Sequence, residues 1–437
     1  MPHETVSRQT WVWTLLSGPF LAWTLLASAG IQVAHGQWTL PAEDAPHEGT
    51  WLQWPHNFTY GSGAEDLQAS WVAMAGALAG GERVHVVVYN AQEAGEVLAA
   101  LNAANVDVGQ VDVFVCPTDD FWVRDNGPVF VTDADGTLAM VDWGFNGWGG
   151  DAPFELDDAV PEVLSAQTGI PRLDLSGVVL EGGAVEVDGQ GTLMATRSSV
   201  TGPDRNPGLT EAQIEDSLAT YFGVSHVIWL DGQNGGAEDI TDQHIDAFAR
   251  FAPGNTLVTM GDTDLAYWQV SPSDREILAT LTNAQGLPCT RVELPLTQFP
   301  VQTTWGQSVG YRSSYVNYYV ANEVVLVPWY NDPMDEVAQD LLQEVFPNRT
   351  MVGIDCRNMV LWGGMVHCVT QQQPEASGVA PVQERSPGPG AALVGVHPLP
   401  PGTMFNLAGQ RVDHAHPGQV VLVVREHGRV ERTVQRD

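Results

Sequence analysis

Lysine is missing altogether: all 18 basic residues are arginines, set against 53 acidic residues, and the formal net charge is −35. A surface with that excess of carboxylate repels a phosphate backbone. It excludes nucleic acid as a partner and favours a cationic ligand or a salty medium. Cysteine is scarce too. Cys116, Cys289, Cys356 and Cys368 are scattered along the chain, which rules out a disulfide scaffold or a zinc site of the C-x2-C kind. Hydrophobic residues make up 44% and aromatics 8%, so the chain is neither disordered nor fibrous and can bury a substantial core. Its 437 residues exceed one ordinary domain of about 100–200 residues, although a single large α/β unit remains within range.

Long hydrophobic runs are confined to the N-terminus. Arg8 precedes an uncharged stretch from Trp11 to Val33, and small residues at Ala27-Ser28-Ala29 and Ala34-His35-Gly36 offer cleavage sites. Gly18-Pro19 interrupts the run, so residues 1–36 read as a signal peptide rather than an anchor. That reading makes the protein exported, secreted or cell-surface, with no stable membrane span after cleavage. At the other end, residues 375–399 are rich in Pro, Gly, Ala and Ser, as linkers are. Residues 400–437 read as a small β module, with strands over 404–412 and 419–425 and turns at Pro417-Gly418 and His427-Gly428.

Between the ends, over 37–374, short apolar runs alternate with helical patterns. Strands are expected at 84–89, 111–115, 138–143, 193–196, 227–230, 256–260 and 324–327. Helices are expected at 91–101, 210–222, 273–283 and 335–346. Alternation of this kind predicts one large α/β domain. No sequence repeat is legible.

Four strings carry chemistry. Phe121 to Pro128 places Trp122, Arg124 and Asp125 where a strand would meet an Asn-Gly-Pro turn. Leu180-Glu181-Gly182-Gly183 sets a carboxylate beside glycines that let backbone approach a ligand closely. His244-Ile245-Asp246 puts imidazole and carboxylate on one face if the segment is extended. Trp362 to Cys368 is a glycine-rich turn leading into a thiol. Taken singly, these are an ion pair under a turn, a tight turn, a chance pair and a buried small hydrophobe. Taken together, they match thiolate catalysis with a histidine proton carrier. His367 would point to the opposite face of a strand from Cys368 and is left out of that set.

The strings also carry a resemblance. Thr50-Trp51-Leu52-Gln53-Trp54-Pro55 resembles the "T-W-x-x-W-P" of agmatine deiminases, and Trp122 to Pro128 resembles their "W-x-R-D-T-G-P". Phe145 to Gly150 resembles "F-N-x-W-G-G", and His367 to Pro374 closes the match almost letter for letter. The stretch 180–183, residues 244–246 and 317–322 fall in the family's order, so the likeness covers about 38–374. It belongs to the guanidine-modifying superfamily, which also holds Porphyromonas-type peptidylarginine deiminases.

The resemblance implies a five-bladed α/β propeller (the pentein fold) and an amidinohydrolase acting on a small cationic guanidinium substrate, with no cofactor and no metal. Cys368 would attack the guanidinium carbon, His244 would carry protons, and Glu181 would orient His244. Asp125 and Asp246 would take the guanidinium N–H groups, while Trp122, Gly364 and Asn317 would line the pocket. Asp239, with Glu238 and Asp242, is a candidate partner for the far amine of agmatine. The C-terminal module resembles the sorting tail of Bacteroidetes-type secretion systems, which would make that machinery a partner. A homo-oligomer stays open.

Three positions depart from the family pattern: Trp362 stands for a glycine, Met365 for an asparagine, and Gln243 for the glycine of "D-G-H-V-D". The competing activity is peptidylarginine deimination by a secreted enzyme. The competing class is a binding protein that keeps a guanidinium pocket without turnover.

Overall fold

A computed structural model describes residues 38–376, apart from 57, 58, 60, 237 and 238, and four short strands beyond residue 403. The leader reading (1–36) and nearly all of the linker reading (375–399) lie outside the described residues.

Residues 38–374 form five small mixed sheets. One sheet runs Gln371–Pro374, His47–Gln53, Arg83–Val88, Val111–Val115, with an antiparallel first pair and parallel pairs after it. A second holds Trp38–Thr39, Val129–Asp133, Leu138–Gly144 and Arg172–Val179, the last pair parallel. The remaining three have the same plan. Val185–Val187, Thr192–Thr196 and His226–Leu230 form one, Ala249–Ala252, Thr256–Met260 and Thr290–Leu294 another, and Tyr319–Val320, Val324–Trp329 and Thr350–Asp355 the last. In each, an antiparallel pair leads into a parallel pair.

A helix lies in every parallel crossover: Glu65–Leu78, Ala91–Ala103, Val160–Thr168, Glu211–Phe222, Pro272–Thr280 and Asp335–Val345. Parallel neighbours need such a crossover, because a strand must return to its starting end before it can pair again. The chain is therefore a fivefold structural repeat with no matching sequence repeat, since only topology and buried positions recur.

Local signals explain the elements. Glu211–Phe222 starts at a capping box between Thr210 and Gln213 and stops at Gly223 in the left-handed region (φ 70). Asn90 caps Ala91–Ala103 through the Gln92 and Glu93 amides. The helix expected over 273–283 ends at Thr280, because Leu281 turns extended and Thr282 forms a bridge with Pro288. The core is rich in aromatics: the rings of Trp51 and Phe114, on one sheet, lie 4.8 Å apart, and Trp71 meets Phe121 edge-on at 4.9 Å. No described helix is long and apolar enough to cross a membrane.

Beyond residue 403, Met404–Phe405, Arg411–Val412, Val420–Val424 and Val430–Val434 form one antiparallel sheet. The single strand read over 404–412 is thus two short strands paired with each other, Met404 opposite Val412. A glycine at 409 and Asn406 place turn chemistry between them.

Candidate active site

The five-unit plan places the chemistry. Asp125, Glu181, His244 with Asp246, Asn317 and Cys368 each stand two to five residues ahead of the first strand of a different sheet. Helical turns hold four of these five places: Val123–Asn126 is one α-turn, and Gly182–Ala184, Ile245–Ala247 and His367–Val369 are 3-10 turns. This corrects two readings of the sequence. The segment at 244–246 is not extended, and Asp125 lies in a helical turn rather than at a strand end. The side chains nevertheless converge, because a tight turn before a strand aims its side chains at the same end of each sheet.

The convergence is close at Gly183. A methyl group there would fall 2.8 Å from Asp125 Oδ1, 2.8 Å from His244 Nδ1 and 3.1 Å from Asp246 Oδ2. Only glycine lets three charged side chains share that point. Gly364 has a like role, since a Cβ would lie 2.2 Å from the Trp122 ring and 3.2 Å from Cys368 Cβ. Trp122 therefore walls the nucleophile's side of the site.

Each carboxylate is held differently. Asp125 accepts the Gly183 amide at 3.1 Å and the Trp148 indole N–H at 3.0 Å. Trp148 reaches it from a left-handed backbone (φ 53) in the Phe145–Gly150 string, which gives that string a task the sequence alone did not disclose. Glu181 accepts Arg205 Nε at 2.8 Å and faces His244 Nε2 at 3.3 Å. Arg205, fully buried, also donates to Asp242 at 3.0 Å and to the Ile240 carbonyl at 3.0 Å. Nothing in the sequence singled out Arg205. Asp246 uses Oδ2 to accept from His367 Nδ1 at 2.7 Å, while its Oδ1 is buried with no hydrogen-bond partner among the described residues.

Cys368 Sγ lies 3.8 Å from Asp246 Oδ2 and receives the Asn317 amide N–H at 3.3 Å. Asn317, read as a pocket residue, also donates to the Asp246 carbonyl at 3.3 Å and accepts the His367 amide at 3.0 Å. It braces the nucleophile's turn.

Electrostatics follow from burial and neighbours. Burial pushes the Cys368 thiol well above its ordinary range, and the Asp246 and Asp125 charges push it further. Asp125 is raised to about 6 by burial, partly offset by His244. His244 is raised to about 9: burial opposes its charge, but Asp125 and Glu181 outweigh that. Burial would raise Asp246, yet the hydrogen bond and charge of His367 bring it below the usual carboxylate range. At neutral pH the site therefore holds a charged imidazole, a neutral thiol and carboxylates short of cationic partners.

Of the remaining residues, Asp239 is spent on its own loop. Its carboxylate accepts the Thr241 hydroxyl at 2.6 Å, the Thr241 amide at 3.1 Å and the Gln243 amide at 3.1 Å. Glu238 lies outside the described residues. Gln243 adopts the left-handed backbone that suits glycine (φ 66) and sends its amide to the Trp268 carbonyl at 3.3 Å, away from His244. Met365 is buried, its sulfur accepting the Ser313 hydroxyl at 3.4 Å. Trp362 is about half exposed. His367 lies in a 3-10 turn rather than on a strand, and its ring is buried between carboxylates. The four cysteines are unpaired. Among the described residues, no group of three or more His, Cys, Asp or Glu is placed to hold a metal ion.

A thiol, a charged imidazole and several carboxylates therefore converge beside Gly183. The model of the Porphyromonas-type peptidyl-arginine deiminase family matches residues 39–374, and the chain belongs to that family. The agmatine deiminase of Pseudomonas aeruginosa is 35% identical over 359 residues, spanning 77% of this chain and 95% of that protein. The Enterococcus faecalis agmatine deiminase structure superposes with a TM-score of 0.68 at 29% identity, covering 78% of this chain and 96% of that one. A Campylobacter jejuni agmatine deiminase gives 0.64 at 25% identity, covering 78% and 97%. The chain is accordingly a hydrolase acting on the C–N bonds of a guanidinium group.

Proposed function

We propose that the protein deiminates agmatine to N-carbamoylputrescine and ammonia through a covalent intermediate on Cys368. The observation that carries this is the meeting of Cys368, His244, Asp125 and Asp246 around the Gly183 cleft. The likeness to three agmatine deiminases supports the substrate. The five like sheets support a five-bladed propeller with the cleft on its axis.

In this reading the guanidinium fills the charge deficit. Its N–H groups meet Asp125 and Asp246, charge-assisted contacts that a planar donor fork suits. The bound cation lowers the cost of ionising the thiol, whose proton leaves to solvent as the thiolate forms. Sulfur bonds to the guanidinium carbon, and one C–N bond then breaks as His244 Nδ1, the nitrogen not held by Glu181, protonates the leaving nitrogen to ammonia. The cation left on sulfur is a thiouronium. Neutral His244 next takes a proton from water, whose oxygen bonds to the carbon. The C–S bond breaks as the added hydroxyl gives its proton to solvent, releasing the urea product and the thiolate.

The name of the family, peptidyl-arginine deiminase, favours a second reading, deimination of arginine within peptides. An assay of ammonia release separates them, with agmatine, free arginine and an arginine-containing peptide as substrates. Agmatine is expected to lead, and a peptide that outruns it would replace the first reading with the second. We further propose export, with the mature chain starting near Gln37, residues 375–399 a linker and 400–437 a sorting module. Mass spectrometry of protein from the native host tests this, and full-length chain in the cytosol would refute it.

A further inference from the structure

Behind the cleft lies a second ionic cluster that the chemistry above does not use. His367 Nε2 lies 2.7 Å from Glu43 Oε2, while its Nδ1 holds Asp246. Glu43 comes from the loop that follows the first described strand. Its carboxylate also meets Arg250 at 2.9 Å and Arg124 at 3.4 Å, and accepts the Val320 amide at 2.8 Å. Arg250 is shared with Glu186 at 2.8 Å and donates to the Tyr318 carbonyl at 2.7 Å. A small cavity of mixed lining, with Glu43, Arg124, Glu186 and His367 facing Leu40 and Val185, backs the cluster.

The geometry points to a buried relay, Glu43–His367–Asp246, in which Glu43 and His367 are positioning residues that aim Asp246 and keep it ionised for the guanidinium. This rests on the reading of Asp246 as a substrate carboxylate. An ionised carboxylate only accepts hydrogen bonds, so a ring between two of them at 2.7 Å donates through both nitrogens. That ring holds Oδ2 of Asp246, the oxygen that also faces Gly183 and lies 3.8 Å from Cys368 Sγ. Removing the Glu43 charge leaves His367 without the acceptor that sustains its second N–H, and Asp246 then loses a charged donor. The groups facing Asp246 from all sides are His367, His244, Cys368, Asp125 and Arg250. Those facing Glu43 are Arg250, Arg124, His367, Glu186, Tyr318 and Tyr319. None of the others can replace the Nδ1 donor on Oδ2.

The test compares the full-length protein with Glu43→Gln and Glu43→Asp, using agmatine as probe. Glu43→Gln should raise KM about tenfold with kcat nearly unchanged, because Asp246 then holds the guanidinium less well. Glu43→Asp, which keeps the charge, should recover most of that loss. A merely packing role predicts the reverse order, because glutamine fills the space and aspartate does not. An unmoved KM in Glu43→Gln overturns the relay. Nitrogen-15 NMR of the ligand-free wild type should find both His367 ring nitrogens protonated at pH 7, and a single-donor ring there overturns it whether or not the variants fold. If wild type ignores agmatine while His367 shows two donors, the substrate reading fails and the relay stands.

Discussion

Arg124 and Asp125 are neighbours in sequence and face opposite ways. Asp125 looks into the cleft, where Glu181, Asp246 and Asp242 outnumber the cations His244 and Arg205. Arg124 looks behind it, donating to Gln372 at 2.8 Å in a cluster where Arg250 and His367 meet Glu43 and Glu186. The front is short of positive charge and the back is close to balanced. An unbalanced cluster is a binding site awaiting its counter-charge, whereas a balanced one is a structural brace.

The sharpest way to break the comparison is at the nucleophile. Cys368→Ser should cut ammonia release about 10⁴-fold or more, because a hydroxyl lacks the thiol's nucleophilicity and has no strong base beside it. Cys116→Ser should keep its kcat, since Cys116 is buried in a hydrophobic cluster with Trp51, Phe114 and Phe130.

Next come opposite effects on stability, read from denaturant midpoints. Arg250→Met should cost about 3–5 kcal/mol by leaving Glu43 and Glu186 buried without their shared cation. Asp125→Asn should abolish turnover yet lose no stability. The folded pKa of Asp125, about 6, lies above its ordinary value, so its charged form is disfavoured by the fold and stability drains away as pH rises through that window. Removing the charge at pH 7 should return up to about 2 kcal/mol. A destabilised Asp125→Asn would show that the front is braced like the back.

A pH profile tests both signs at once. kcat/KM should fall below about 6 as Asp125 takes up a proton, and above about 9 as His244 loses the proton it must deliver. An optimum outside that span would reject these two assignments. The smallest effect is salt. With a net charge of −35, kcat/KM for dicationic agmatine should drop a few-fold between about 0.01 and 0.15 M ionic strength, while stability barely moves.

Much of this site was legible along the chain because its catalytic types sit in short strings. Glu181-Gly182-Gly183, His244-Ile245-Asp246 and the turn before Cys368 are local, and all reach the cleft. The local backbone was read less well. Strand-like strings at 123–126, 245–247 and 367–369 are single helical turns, since a few polar residues carry no periodicity to tell a turn from a strand. His367 was misjudged for that reason: alternation along a strand would turn it away, but a 3-10 turn sets it against Asp246. Arg205 and Glu43 had no signal, because a buried ion pair is made by two distant segments and leaves no pattern in either.

The motifs by themselves pointed to a thiol with a histidine proton carrier and carboxylates, and their resemblance to the agmatine deiminases pointed to a guanidinium. Where those groups meet was decided by tertiary structure alone. Gln371–Pro374 pairs with His47–Gln53 across most of the described chain, and five unlike strings become equivalent only when five like sheets bring their leading turns together. The charge balance was decided there as well, because which carboxylates gain a buried arginine and which are left for the substrate depends on contacts such as Arg250 with Glu43, some 200 residues apart in sequence. Hydrogen bonds between such distant groups are set by packing geometry, and no one-dimensional pattern encodes it.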